Sequence, residues 1–289
     1  MATLRDIKKR ISTVKNTQKI TKAMKMVAAA KLRRAQTAVV GSRPFAGKLQ
    51  EVVCDIVAKS SGVKANPLFV ARAEKKKVEL LVFTSNRGLC GGFNSNLLRK
   101  TAVFLKGLRE KNIDVCLNVI GKKGREFFNA RQIKIDTHYI PWAEKFPYED
   151  ASTYMEAAVK RFLSGEIDEF YVVYNKFMSA IKLEITFQKL LPLDLPQNGT
   201  SDGMDYIYEP SRKKLLETLL PNFLATQVYK AHLESLASEL GSRMSAMDSA
   251  TNNAVDMISK LTLKYNRARQ SAITTELMDI VNGAESLKG

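Results

Sequence analysis

The sequence predicts an α/β protein: long helices at its two ends, paired as an antiparallel coiled coil, with a central Rossmann-like α/β domain between them. Three observations carry this. Toward the C-terminus, Leu233, Leu236, Leu240, Met244, Met247, Thr251, Ala254, Ile258, Leu261, Tyr265, Ala268 and Ala272 recur at steps of three and four. That is a heptad seam with one extra four-residue step at Leu240–Met244, a stutter that locally unwinds a supercoil. Toward the N-terminus, residues 3–58 carry a second apolar stripe at helical spacing. Between the two, apolar runs of strand length alternate with helical patterns, as in a mainly parallel sheet.

Each element follows from local chemistry. Neither glycine nor proline occurs between Gly241 and Gly283, so nothing there stops a helix. Roughly 65 residues of helix make a rod of about 95–100 Å. A rod that long needs a partner, and Pro221 predicts a kink or break before it. At the other end Thr3 suits an N-cap, and Leu4, Ile7, Ile11 and Val14 begin a stripe continued by Ile20, Met24, Val27, Ala28, Leu32, Ala35 and Val39. Gly41, Pro44 and Gly47 predict an interruption near residues 41–47.

Residues 59–76 read as a connector, and Val78–Thr84 as a strand buried on both faces. A glycine-rich turn, a helix over 94–111, a strand at 115–120, a helix over 122–130 and a short strand near 133–136 follow. A helix over 151–163 and a strand at 169–174 continue the alternation. Ile181, Leu183, Ile185 and Phe187 alternate with polar residues, which predicts an antiparallel edge strand with one wet face. Residues 191–205 read as an exposed loop and 206–208 as a short extended piece. The expected division is 1–58, 59–208 and 209–289, with the first and last forming one shaft. Because the C-terminal helix is longer, its last one to two dozen residues should project alone. Ile273, Leu277, Met278, Ile280 and Val281 make that tip too apolar to be left wet.

Charge separates the two helices. The chain has 46 Lys+Arg against 29 Asp+Glu, a formal net charge of +17. From Met1 to Val40 eleven basic residues face Asp6 alone, whereas from Asn222 onward seven basic balance seven acidic residues. The partner surface of the N-terminal helix should therefore be acidic: protein, nucleic acid or anionic lipid. No run approaches the 18 or so apolar residues that span a membrane, and MATLRDIKKR lacks the apolar core of a secretory signal.

Enzyme chemistry finds little footing. Cys54, Cys90 and Cys116 form no CxxC pair and read as reduced thiols. Gly88-Leu89-Cys90-Gly91-Gly92 fits neither G-x-G-x-x-G nor a P-loop, and is better read as a tight strand-to-helix turn. No histidine is placed beside Cys90, and no metal spacing or paired acidic motif occurs. The residues thus imply no cofactor and leave two readings: a coiled coil for a protein partner, or a basic coiled-coil module for nucleic acid or scaffolding.

Three motifs go further. Ile11–Ala28 (ISTVKNTQKITKAMKMVA), Arg87–Asn94 (RGLCGGFN), and the pair Glu239–Met247 (ELGSRMSAM) and Tyr265–Thr274 (YNRARQSAIT) with Glu276-Leu277 resemble the gamma subunit of F-type ATP synthases. The likeness runs the length of the chain. It implies a non-catalytic rotor shaft that turns inside three alpha and three beta subunits, its base fixed to the c ring of a proton-translocating complex. It also implies that Lys22, Met24 and Lys25 pass the acidic lever loop of beta. Arg243, Arg269, Gln270, Thr274 and Glu276 would touch beta higher up, and Met204, Asp205, Tyr206 and Tyr208 would meet the c ring and epsilon. The missing redox-regulatory insertion of the chloroplast form and the lack of a transit peptide imply a bacterial source, at the cytoplasmic face of the cell membrane. The stutter falls beside Arg243, where altered winding would turn that side chain out of the seam.

Overall fold

The computed structural model describes residues 3–58, 66–72, 74–139, 146–180, 182–194, 209 and 211–286. Two helices dominate: α1, Leu4–Ala58, and α5, Arg212–Ser286. Between them lie β1 (Lys77–Phe83), α2 (Phe93–Glu110), β2 (Asp114–Ile120), α3 (Lys122–Asn129), β3 (Thr137–Tyr139), α4 (Tyr148–Ser164), β4 (Glu169–Phe177) and β5 (Leu183–Leu191). The chain divides into two compact units, Met1–Ala28 with Met244–Gly289, and Ala29–Arg243.

In the first unit α1 and α5 run antiparallel. Lys25 Nζ lies 2.6 Å from Asp248 Oδ1, and Thr251 Oγ1 donates to Thr21 Oγ1 at 2.8 Å, so rising numbers on one helix meet falling numbers on the other. Beyond Thr251 the α5 residues shielded from solvent are Ala254, Ile258, Leu261, Tyr265, Ala268 and Ala272, the predicted seam. The α1 seam departs from the expected stripe at Ile20 and Val27. Heptad steps from Leu4, Ile7, Ile11 and Val14 arrive at Gln18, Thr21, Lys25 and Ala28, all of them shielded, with Met24 half-buried beside them. Ile20 and Val27, chosen for being apolar, sit on other faces and are 60% and 58% exposed. The middle of the seam is therefore polar and closes through the Thr–Thr and Lys–Asp contacts.

The second unit holds a five-stranded sheet in the order β3-β2-β1-β4-β5. Its first four strands are parallel, and β5 pairs antiparallel with β4, as its alternating pattern predicts. One face packs on α4, residues 49–57 of α1 and residues 215–231 of α5; the other packs on α2 and α3. The third strand begins at Thr137 rather than Ile133. Ile133 and Ile135 are spent on core packing, and Asp136 accepts from Leu117 N before the ladder starts. Both long helices also continue through their prolines. Pro44 is exposed, so the carbonyl it frees meets water, and Pro221 is followed by the packed Phe223, Leu224 and Val228. Packing on either side offsets the roughly 3 kcal/mol a mid-helix proline costs.

Candidate functional site

Two regions hold the residues that the sequence singles out. The first is the coiled coil. Lys22 is exposed on α1, Met24 is half-buried, and Lys25 is half-buried against Asp248. The antiparallel pairing brings Leu4 level with about residue 268, two helices stepping together at the same rise per residue. From Arg269 to Ala284 every α5 residue except Ala272 is exposed, including Arg269, Gln270, Thr274 and Glu276. Thr274 Oγ1 donates back to the Gln270 carbonyl at 2.9 Å, so Gln270 and Thr274 share a face one turn apart. Lys22 lies level with about residue 250, so these residues and Gln270 stand about 30 Å apart along the rod. They are two levels of one surface, not one pocket. The apolar tip projects as expected, and Leu277, Met278 and Ile280 are more than half exposed.

The second region is the glycine turn in Ala29–Arg243. In an open parallel sheet, ligands bind beyond the carboxyl ends of the strands where the order reverses, here between β1 and β4. That crevice is filled by α5. Ser242 Oγ donates to the Cys90 carbonyl at 2.6 Å, and Arg243 Nη2 reaches the carbonyls of Arg87 and Gly88, each at 3.3 Å. At the end of β4, Ser238 Oγ donates to Asn175 O at 2.8 Å, and Glu234 Oε2 accepts from Phe177 N at 2.9 Å. Gly241 lets the helix in: a Cβ there would lie 3.2 Å from Ala180 Cα. Behind the turn, Asn94 bridges Ser85 Oγ (2.7 Å) and Cys90 Sγ (3.2 Å).

The electrostatics oppose catalysis. Burial pushes the thiols of Cys90 and Cys54 above their ordinary value, and burial together with Glu79 pushes Cys116 up to about 12. None is a thiolate at neutral pH. His232 is buried between Phe83 and Phe146, and burial lowers it to about 4. Among the described residues no cluster of His, Cys, Asp and Glu could hold a metal ion, and no helix is long and apolar enough to cross a membrane.

A family model described as ATP synthase matches residues 3–287. The ATP synthase gamma chain of Geobacter metallireducens is 49% identical over 290 residues, covering both chains in full. The chain belongs to the ATP synthase gamma family. The gamma chain of Anaeromyxobacter sp. strain Fw109-5 is 48% identical, again over both full lengths. Among solved structures, the central stalk and c ring of Tetrahymena thermophila mitochondrial ATP synthase contains a chain with a TM-score of 0.57 and 27% identity. That match covers 80% of this gamma-family chain and 99% of the other. A chain of the Euglena gracilis mitochondrial assembly has a TM-score of 0.66, covering 98% of this chain and 94% of its own. At 18% identity it supports the fold alone.

Of the residues this family likeness marks, Met204, Asp205, Tyr206 and Tyr208 lie outside the described residues. The hydrogen bonds that fasten α5 to the glycine turn have no local signature: Ser238 and Ser242 carry none, and Arg243 stands out only through the family resemblance, as a contact to beta. Sequence reasoning also overlooked a buried network around Glu79. A carboxylate inside the apolar run of β1 was the available signal, since a buried charge demands partners.

Proposed function

We propose that this gamma-family chain is the non-catalytic central rotor shaft of a bacterial proton-translocating F-type ATP synthase. The observation that carries the reading is the apolar end of α5. It runs beyond the level of α1 with its large side chains exposed, in a chain that matches gamma chains over their full length. A lone helix of this kind is marginal in water and needs a sleeve. Three alpha and three beta subunits supply it, while the c ring and epsilon hold the base through Met204, Asp205, Tyr206 and Tyr208. The complex sits at the cytoplasmic face of the cell membrane, and this subunit joins the membrane only through it. Residues 1–58 and 209–289 act as one shaft, and 59–208 as the domain beside it.

The mechanism follows from asymmetry. One helix of the pair is strongly basic and the other is near neutral, so the rod cannot offer the same surface to three equivalent partners at once. Each beta subunit is held in a different state because contact free energy differs between states, and rotation exchanges the states. Lys22, Met24 and Lys25 face the acidic lever loop at one level. Arg269, Gln270, Thr274 and Glu276 face beta at the upper level, and Arg243 contributes to coupling. Charged contacts of this exposed kind guide more than they bind.

Reconstitution tests this. Added to purified alpha and beta subunits, the chain should assemble into an ATPase that needs it for sustained turnover. An ATPase that turns over identically without it would sink the reading. In the membrane-bound complex, Gln270→Ala should lower ATP synthesis several-fold. The stability of the chain should change by no more than about 0.5 kcal/mol, as for a surface substitution. Unchanged synthesis would contradict the assigned contact.

A further inference from the structure

We infer that Ser242 and Arg243 form a clamp that locks the glycine turn 86–92 onto α5, and that Arg243 is a positioning residue acting inside its own chain. The inference rests on the rotor reading for its consequence, but its geometry is independent of it. The guanidinium of Arg243 is held at one edge by Glu239, one turn back, at 2.7 Å, and the two side chains are only 13% and 10% exposed. At its other edge it serves the carbonyls of Arg87 and Gly88, and Ser242 serves that of Cys90. Three carbonyls of one short turn are thus captured by two adjacent helix residues.

The turn needs that hold. Leu89 has φ +61° and Gly91 φ +56°, left-handed conformations that a leucine seldom adopts. Leu89 is 64% exposed, so its own packing does little to fix the backbone. The restraint comes from behind, from Ser242, Arg243 and the Ser85–Asn94–Cys90 hydrogen bonds.

The clamp is one part of a rib. Glu234, Ser238 and Ser242 follow one another at four-residue intervals, and each bonds to backbone at the carboxyl end of β4 or in the turn after β1. Arg43 adds an ion pair to Glu234 at 3.5 Å. Within this unit, α5 cannot rotate about its axis against the sheet without breaking these bonds. Torque applied to the α/β domain therefore reaches the helix rigidly through the rib, and Arg243 supports coupling without touching a catalytic site. Lysine would not replace it, because one ammonium cannot face Glu239 and two carbonyls as a planar fork does.

Cys90 reports on the clamp, being part of the turn and only 2% exposed. The experiment follows maleimide modification of Cys90 in the native full-length chain, with Cys54, 4% exposed in the same unit, as internal control. Arg243→Ala and Ser242→Ala should accelerate Cys90 modification about tenfold or more, as for a local opening that loses hydrogen bonds to a charged donor. Arg243→Lys should fall between, with Cys54 unchanged. In the membrane-bound complex, the same variants should lower ATP-driven proton pumping relative to ATP hydrolysis. An unchanged Cys90 rate in Arg243→Ala overturns the clamp. So does equal acceleration at Cys54, which would mean general loosening. Accelerated labelling with an unaltered pumping ratio overturns the positioning role. The labelling requires no alpha or beta subunit, so failure of the rotor reading would be seen separately.

Discussion

Replacing Arg161 by alanine should destabilise the α/β domain by about 3–5 kcal/mol, the usual consequence of stranding a buried charge. Glu79 lies in the centre of β1 and is fully buried. Arg161 of α4 grips it with both edges of the carboxylate, Nε to Oε2 at 3.0 Å and Nη2 to Oε1 at 2.7 Å. Tyr154 OH adds a bond at 2.6 Å and Asn118 Nδ2 another at 2.8 Å. The pair is not itself a large source of stability, since desolvation consumes much of its attraction. Removing one partner is the costly step. Denaturant titration of the full chain should show a lower midpoint for Arg161→Ala with an unchanged slope. Glu79→Gln should cost less, because Arg161 is 31% exposed and can turn to water. A loss below about 1 kcal/mol for Arg161→Ala would mean that Glu79 finds another counter-charge.

The second large effect is a pH dependence written into His232. Its ring lies 5.8 Å from that of Phe83 and 5.3 Å from that of Phe146, and burial lowers its pKa to about 4 from an ordinary 6.5. The folded state therefore favours the neutral ring, and the unfolded chain takes up the proton first. Its contribution is complete above pH 6.5 and is lost as pH falls from 6.5 toward 4. Between pH 7 and pH 5 the loss should approach about 2 kcal/mol, at about 1.4 kcal/mol per pH unit below 6.5. His232→Leu should flatten that part of the stability curve while leaving the carboxylate-driven fall below pH 5. An identical slope in the variant would remove His232 as the cause.

Periodic features were legible in the sequence, and long-range polar ones were not. Ala254, Ile258, Leu261, Tyr265 and Ala268 declared the α5 seam because apolar spacing is a local property, and the alternation of Ile185 and Phe187 with polar residues declared the antiparallel edge strand. On α1 the apolar stripe held at Met24, Ala28, Leu32, Ala35 and Val39 and failed at Ile20 and Val27, where Gln18, Thr21 and Lys25 hold the seam instead. Heptad phase was the better guide, because geometry fixes which face a position occupies whatever residue fills it. The prolines, which predicted a kink or break, interrupt neither helix, for a related reason. Pro44 and Pro221 each remove one hydrogen bond, but the packing that overrides the loss comes from distant residues. The same holds for Glu79, whose partners Asn118, Tyr154 and Arg161 meet only when β1, β2 and α4 assemble. The filled crevice at the end of β1 also had no local signature, since Ser242 and Arg243 lie some 150 residues from the turn they hold.

As the proposed rotor shaft, this chain would turn within a ring of alpha and beta subunits. The direct measurement fixes such an assembly to a surface by its beta subunits and attaches a bead to a single cysteine introduced on the exposed face of α2. Under ATP the bead should rotate continuously in one sense, with dwells at thirds of a turn set by three equivalent catalytic sites. A bead that stays at one angle while the same assemblies hydrolyse ATP would contradict it.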